Sequence, residues 1–182
     1  MMMINYHIEY PWFRPVVEGD EIQQGEIVES CPIFLPPPDL DIQKQLDSYT
    51  LKYEERDVIV MTQSCDLVKE LGKIKEVMLC GLWFYSEFGE TGLGKDKLEE
   101  IRKGRKPEYH ILNKCEINGF KKEFRVIDFR KIYSLPIDYF REIVKTKSPR
   151  LRLLPPYREH LAQSFARYFM RVGLPVDIPP FK

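Results

Sequence analysis

Four consecutive apolar residues at positions 58–61 form the clearest hydrophobic pattern in the chain, and they lead directly into the polar sequence TQSCD. A short run of this kind, rich in β-branched residues and bounded by charges and turn formers, is typical of a strand buried on both faces. Functional groups are often displayed where a strand passes into a loop, so residues 62–66 are the first candidate position for a site.

Other short strands are predicted on both sides of this run. Apolar positions between 22 and 34 predict a first strand pair, alternation over 49–53 predicts a half-buried strand, and the apolar run 77–85 predicts another. Three prolines at 36–38 cannot continue a sheet ladder and predict an exposed connection. The segments 109–117 and 120–129 flank Asn118-Gly119, which predicts a hairpin with a type I′ turn because both central residues need a positive φ.

Helices are predicted to be short except near the end of the chain. One helical turn follows Cys65 and stops at Gly72, a charged helix spans 95–103 and stops at Gly104, and a third spans 135–144. In the third helix, the predicted apolar row consists of Ile137, Phe140 and Val144.

The longest predicted helix follows Pro155-Pro156 and ends before Gly173 and Pro175. Its apolar stripe, at spacings of three or four, consists of Tyr157, Leu161, Phe165, Tyr168, Phe169 and Val172. Such a stripe most often closes the core of its own domain, and the alternative is a helix that binds a partner or a second copy.

Six or seven short strands with small helical insertions, followed by one longer helix, predict an α+β fold that is mainly β. We expect a small bent sheet or an SH3-like partly open barrel. A chain of 182 residues fits a single domain over 1–182, with a β-rich core at 16–145 and a helix at 155–173 packed on it.

The composition, 43% hydrophobic and 31% charged, places the chain among soluble globular proteins. No uncharged apolar run approaches the roughly 20 residues that a bilayer span needs, so we expect no membrane contact and a cytoplasmic location. Glu9, Pro11 and Arg14 interrupt any secretory pattern at the N-terminus.

The four cysteines, Cys31, Cys65, Cys80 and Cys115, contain no CxxC pair, so free thiols are expected and a structural zinc is not. Three of them, all except Cys65, lie next to apolar or strand-like residues, where cysteine behaves as a small buried hydrophobe. Gly89, Gly92 and Gly94 lack the context of a phosphate-binding loop, and no HExxH motif is present. We therefore expect no cofactor and no metal.

The formal net charge of zero conceals a division along the chain, because residues 1–101 carry a net charge of −11 and residues 102–182 carry +11. One interpretation is mutual neutralisation, within the fold or between copies. The other is a basic face that contacts nucleic acid, which a steep salt dependence of binding would reveal.

The order of Gly19-Asp20, then Arg56 ahead of the VIVMTQ strand, then FRVIDFRKIYSLP resembles the layout of MazF/PemK-type toxins over residues 16–145. The resemblance implies an SH3-like barrel of toxin–antitoxin type that cleaves RNA without a metal, with Arg56 as its catalytic arginine. Where those toxins place a Thr or Ser after the next core strand, this chain has Leu79-Cys80-Gly81-Leu82, so the resemblance implies the fold more directly than the activity. The segments TQSCDL and PPYREHLAQSFARYFMRVGLP also resemble a set of uncharacterised bacterial proteins, which implies no activity.

Cys65 and Asp66 are the candidate catalytic residues at the end of the buried strand. With His110 or His160 they supply the residue types of a thiol nucleophile, its base and an orienting carboxylate, although such a triad is defined by geometry. The alternative is a buried cysteine beside an aspartate that caps the following helical turn.

Candidate nucleic-acid-binding residues lie near the end of the chain. His160, Ser164, Arg167 and Arg171 fall on one helical row, which can grip phosphates or can be a solvated face paired with the acidic half. Arg150 and Arg152 are separated by two in an extended segment and are expected to extend the same patch. A further cluster of Arg102, Lys103, Arg105 and Lys106 is predicted to be an exposed loop.

These patterns favour a non-enzymatic binding module that contacts nucleic acid or an acidic partner through its basic later half. An alternative is an RNA-cleaving, toxin-like enzyme that uses Arg56 and a polar partner from 62–66. A third is a protein-interaction subunit, or a homodimer, that uses the helix at 156–172.

Overall fold

The structure is a computed structural model that describes residues 10–36, 53–68, 71–72, 74–90 and 95–170. The strands are β1 (Phe13–Val16), β2 (Glu26–Phe34), β3 (Tyr53–Val60), β4 (Glu76–Phe84), β5 (Tyr109–Leu112), β6 (Arg125–Pro136) and β7 (Arg150–Leu153). The helices are α1 (Ser64–Leu67), α2 (Tyr85–Glu90), α3 (Lys95–Arg102), α4 (Ile137–Thr146) and α5 (Tyr157–Phe169).

The seven strands form one sheet in the order β1-β7-β2-β3-β4-β6-β5, with every neighbouring pair antiparallel. The sheet is not closed into a barrel, and β1 and β5 are its two edges. The predicted α+β class, mainly β, is confirmed. The two predicted forms are a small bent sheet and an SH3-like partly open barrel. The structure has an open sheet with short helices.

The predicted buried strand is β3, which lies at the centre of the sheet. Its residues alternate between two apolar clusters: Val58 and Val60 belong to the cluster that includes Phe140 of α4, whereas Ile59 belongs to the cluster that includes Leu161 of α5. Because α4 and α5 cover opposite faces of the sheet, both sides of β3 are dry over its last three residues, 58–60. This explains why β3 has a continuous apolar run instead of an alternating pattern.

Two irregularities bend the sheet. In β2 the register shifts between Val28 and Cys31, and Ser30 has a φ of 48° while its N–H donates to Asp57 Oδ1 at 2.9 Å. Between β4 and β6 the register shifts after Cys80, at Gly81, where an added Cβ would collide with the Trp83 ring. Extra residues of this kind increase local twist and re-aim the side chains that follow.

The predicted hairpin is confirmed, since β5 pairs with β6 and a bridge joins Cys115 to Lys122. Phe120 N–H donates to the Ile117 carbonyl at 2.9 Å, and Gly119 has a φ of 84°. The type I′ turn is wrong, because among the described residues other than glycine only Ser30 has a positive φ, which excludes Asn118. Regular pairing ends at Leu112, well before the turn, so the turn does not have to match the twist of a continuous ladder.

The predicted helices are present, with differences at the last one. Gly104, with a φ of 70°, follows the end of α3, and the buried row of α4 contains Ile143 besides the predicted residues. In α5 only Leu161 is fully buried, while Phe169 is 58% exposed, so the stripe closes the core over part of its length. The predictions at 49–51 and at Val172 lie outside the described residues. No helix in the described ranges has the length and apolar character needed to cross a membrane.

Candidate functional site

The polar residues after β3 join the strand end to its neighbours. Thr62 Oγ1 accepts the Met78 N–H at 2.7 Å, and Ser64 Oγ accepts the Gln24 N–H at 3.1 Å. The side chain of Gln24 also donates to the Met61 carbonyl at 2.8 Å. The two hydroxyl groups of this predicted site therefore hold backbone groups at the end of the central strand.

Cys65 is exposed, which corrects the alternative of a buried cysteine at this position. Its sulfur lies 3.7 Å from Asp66 Oδ1 and 3.8 Å from Gln63 Oε1. Asp66 lies in the first turn of α1 and is not its N-cap; Gln63 holds that position without a side-chain bond to the helix. The predicted capping role of Asp66 is therefore wrong.

The histidines proposed as partners of Cys65 contact each other instead. Their ring centroids, in His110 of β5 and His160 of α5, are 5.3 Å apart. β5 is an edge strand, whereas Cys65 follows the central strand. Within the described part of the chain no hydrogen bond joins either imidazole to Cys65, and the structure does not assemble the predicted thiol triad.

Arg56, the residue singled out by the toxin resemblance, lies half-exposed on β3 and forms an ion pair with Glu54. Across the ladder it faces Cys31, which is buried. The positions where the toxins carry a hydroxyl are here part of the core, since Leu79, Cys80 and Leu82 are all buried.

Arg150 and Arg152 do not extend an exposed basic patch, and this prediction is wrong. Both are almost fully buried, at 4% and 2% exposure, on either side of the fully buried Glu26. Arg150 Nε lies 3.0 Å from Glu26 Oε2, and Arg152 Nε lies 3.1 Å from Glu26 Oε1. Their spacing of two does place them on one side of β7, and that side is covered by α4, where Arg150 Nη1 donates to the Val144 carbonyl.

The charge division along the sequence is largely cancelled in space. Arg125 lies 2.7 Å from Glu29 and 3.0 Å from Asp57, although about 70 to 100 residues separate them in the chain. Lys122 also reaches Glu29, at 3.3 Å. With the buried pairs of Glu26, these contacts join the basic half to the acidic half, so the basic half does not form one common exterior surface.

Among the described residues, a cleft with a basic lining is present. It has a volume of about 640 Å³ and lies between α5 on one side and the end of α3 with β5 on the other. Its cationic lining residues are Arg102, Lys103, Lys106 and Arg167, and its ring-bearing lining residues are Trp12, Tyr109, His110, Phe124, Tyr157 and His160. None of the described lining residues is an aspartate or a glutamate. We call this feature the basic cleft.

The aromatic side of the basic cleft is pre-organised. Trp12 and Tyr157 are stacked, with ring centroids 3.6 Å apart and an interplanar angle of 12°. The backbone holds the pair in place, because Leu154 N–H donates to the Trp12 carbonyl at 2.8 Å. The two rings thus form a composite apolar wall that loses little conformational entropy when a flat ligand binds.

The two histidines of the cleft have different environments. His110 is 8% exposed and lies against the ring of Phe129, at a centroid distance of 6.2 Å. Burial, and secondarily the charge of His160, lower the pKa of His110 to about 4. His160 is exposed at the mouth of the cleft. At neutral pH His110 is therefore a neutral imidazole.

The predicted helical row is partly assembled in this cleft, since His160, Ser164 and Arg167 all line it. Arg171 lies outside the described residues. The predicted exposed cluster at 102–106 contributes three more cations to the opposite wall. Sequence reasoning did not join the two groups and missed Trp12 and Phe124 altogether, because no sequence signal reports which distant segments meet.

The cations of the cleft differ in how far they are neutralised. Arg102 donates to both oxygens of Glu99, and Lys103 lies 3.3 Å from the same carboxylate. Lys106 and Arg167, in contrast, form no ion pair with any described residue. These two residues supply the least compensated positive charge of the cleft.

Within the described ranges no group of three or more His, Cys, Asp or Glu side chains is placed to hold a metal ion. No protein-family model and no curated protein matches the chain. The resemblance to MazF/PemK-type toxins therefore stays a prediction, as does the role of Arg56 that it implies.

Proposed function

We propose that this protein is a binding module that holds single-stranded nucleic acid in the basic cleft. The observation that carries the proposal is the lining of the cleft, which combines cations and aromatic rings and contains no carboxylate among its described residues. Proteins that bind single strands use this combination, because cations follow the phosphates while aromatic rings stack on unpaired bases.

The dimensions of the cleft favour a single strand over a duplex. Its volume of about 640 Å³ falls in the range of sites that enclose a small ligand, so it accommodates a short, unstacked stretch of nucleotides. Arg167 and Lys106 come from opposite walls, which supports contacts to different phosphates of one strand. Trp12 and Tyr157, which are stacked on each other, offer one apolar surface against which an unpaired base can stack.

Binding of this kind carries little sequence information. Phosphate contacts position the ligand, and stacking tolerates every base because each has a π face. We therefore expect the cleft to bind unpaired polynucleotides of different sequences with similar affinity.

The test is the affinity of a fluorescent, mixed-sequence single-stranded oligonucleotide, measured by anisotropy for the parent and for Arg167→Glu. We expect Arg167→Glu to weaken binding about tenfold or more, since it replaces an uncompensated cation by an anion. The matched control is Lys145→Glu, which makes the same charge change on α4, on the other face of the sheet. Equal affinity in the parent and Arg167→Glu would remove the proposal.

Salt dependence gives an independent readout of the same proposal. Each neutralised phosphate of a single strand contributes about −0.7 to the slope of log K against log salt, so two or three contacts give roughly −1.4 to −2.1. Arg167→Glu should flatten this slope, whereas Lys145→Glu should leave it unchanged. A slope near zero in the parent would show that phosphates are not contacted.

A further inference from the structure

We propose that the floor of the basic cleft is a base-recognition site, in which the main chain of Ile111 hydrogen-bonds the pairing edge of an unpaired base. The pairing edge is the one that a base presents to its complement in a duplex. This inference rests on the proposed binding of single-stranded nucleic acid in the same cleft. It adds a group that distinguishes an unpaired base from a paired one, which the cations of the cleft do not do.

The basic cleft runs along the free edge of the sheet. Five consecutive residues, 109–113, line it. Successive side chains of a strand point to opposite faces, so side chains alone do not explain this continuous lining. On one face Tyr109 and Ile111 pack with α3, and on the other His110 contacts His160 of α5. Because β5 is the outermost strand, its main-chain edge forms the floor between the two helices.

The hydrogen-bonding pattern of β5 decides which main-chain groups face the cleft. Phe129 N–H donates to the Glu108 carbonyl at 2.9 Å, so these two residues form a hydrogen-bonded pair of the ladder. In an antiparallel ladder such pairs alternate with pairs whose groups point away from each other. In the register of β5 with β6, His110 and Leu112 therefore bond to β6. Ile111 turns both its N–H and its carbonyl to the outside.

The next ladder of the sheet gives an independent check. Tyr85 N–H donates to the Phe124 carbonyl at 2.9 Å, and in the register of β4 with β6 the same pattern turns the groups of Val126 towards β4. Val126 is the residue opposite Ile111. The N–H and the carbonyl of Ile111 therefore have no partner in β6.

The free part of this edge is short. No hydrogen bond joins the main chain of Ile111 to another residue of the described ranges. On one side of it, Tyr109 N–H donates to the Lys106 carbonyl at 3.0 Å, and on the other side the strand ends at Leu112. An added peptide strand needs a row of free groups, whereas a base needs one donor beside one acceptor. The edge therefore fits a single base better than an extended peptide.

The chemistry of the bases matches this pair of groups. The N–H and the carbonyl of one extended residue point to the same side of the strand, and every base carries a donor next to an acceptor on its pairing edge. With adenine, N1 accepts from the Ile111 N–H and the 6-amino group donates to the Ile111 carbonyl. In a duplex these atoms are already paired. The contact therefore selects unpaired bases without selecting a sequence.

The experiment compares three fluorescent single-stranded oligonucleotides by anisotropy with the full chain. One contains adenine throughout, and the others contain 1-deazaadenine, which lacks the acceptor of the pairing edge, or 7-deazaadenine, which lacks the acceptor exposed in the major groove of a duplex. All three have the same backbone charge. We expect 1-deazaadenine to bind about fivefold more weakly or worse, because it leaves the Ile111 N–H without an acceptor. The 7-deazaadenine oligonucleotide should bind like the adenine one.

Ile111→Pro tests the contact from the side of the protein. It removes the main-chain N–H, and proline is tolerated on an edge strand where that N–H faces away from the ladder. The variant should bind the adenine oligonucleotide more weakly than the parent and should bind adenine and 1-deazaadenine equally. Ile111→Ala is the matched control, because it shortens the side chain and keeps the N–H. The difference between the two ligands should remain in Ile111→Ala.

Each outcome decides the question. Equal binding of adenine and 1-deazaadenine by the parent overturns the inference and leaves the proposed function in place, whereas absence of binding to all three oligonucleotides removes both. An equal loss with 7-deazaadenine, a difference that survives in folded Ile111→Pro, or one that disappears in folded Ile111→Ala also overturns the inference. Urea unfolding shows whether the variants fold. If Ile111→Pro does not, the comparison of the three oligonucleotides with the parent and with Ile111→Ala is decisive by itself.

Discussion

Burial changes the chemistry of individual side chains throughout this protein. It raises the pKa of both Cys31 and Cys80 to about 12, so these thiols stay protonated and unreactive. It lowers the pKa of His110 to about 4, the opposite direction, because the charged form of histidine is the protonated one. Cys65 is exposed and is the thiol most accessible to reagents. At this scale, position in the fold determines which residues have usable chemistry.

The pKa of His110 has a consequence for stability. An unfolded histidine titrates near 6.5 and the folded one near 4, so the unfolded state takes up the proton first and stability falls as the pH decreases through this window. The free energy of unfolding should fall by roughly 3 kcal/mol through this group by pH 4. Urea unfolding of the parent and of His110→Asn at pH 7 and pH 4.5 measures it.

Carboxylates also contribute to acid destabilisation. The effect of His110 is therefore the difference between the parent and His110→Asn in the free energy of unfolding lost from pH 7 to pH 4.5. We expect His110→Asn to lose less stability than the parent between the two pH values. His160→Asn removes only the secondary, charge contribution to the His110 shift, so its pH dependence should stay closer to the parent's than that of His110→Asn does. An identical pH dependence in the parent and His110→Asn would show that His110 is not held neutral.

At the scale of elements, strand pairing decides what a charged residue does. Arg150 and Arg152 have the spacing of a surface patch, yet Arg152 pairs directly opposite Glu26 in the ladder between β2 and β7. Arg150 also donates from Nη1 to the Val144 carbonyl at the end of α4, at 3.1 Å. The cluster thereby joins a strand pair to the helix above it.

Glu26→Gln should be strongly destabilising. The substitution keeps the shape of the side chain but leaves two buried guanidinium groups without a compensating charge, which typically costs 3 to 5 kcal/mol. The exposed ion pair of Glu54 with Arg56 provides the control, because Glu54→Gln should cost about 1 kcal/mol or less. Chemical denaturation of both variants measures the difference, and equal losses would contradict the role given to Glu26.

At the scale of the whole molecule, the fold joins several cations of the later half to carboxylates of the earlier half and gathers others along the basic cleft. Glu99 reduces the positive charge of the basic cleft, since it forms ion pairs with Arg102 and Lys103 on the rim. The hydrogen bond from Arg102 lowers the pKa of Glu99 to about 2, so the carboxylate stays charged and competes with a phosphate across the working pH range.

Glu99→Gln should therefore tighten the binding of a single-stranded oligonucleotide a few-fold at low salt, because it frees two cations. The gain should shrink as salt is raised, since these charges are exposed and screened. Glu142→Gln, which releases Lys145 on α4, is the matched control and should leave affinity unchanged. Weaker binding in Glu99→Gln would contradict the electrostatic account of the cleft.

The sequence by itself determined the local features of this protein: the buried central strand, the hairpin around Asn118-Gly119, the helices other than α2, and the row of His160, Ser164 and Arg167. Each depends on residues within a few positions of one another, where spacing and turn chemistry act directly. Only the tertiary structure decided that Arg150 and Arg152 point inwards and that the row faces the cations at 102–106 and the ring of Trp12. The physical reason is that strand order and helix docking bring together residues as far apart in the chain as Trp12 and Arg167, and the burial and charge of a side chain depend on those neighbours.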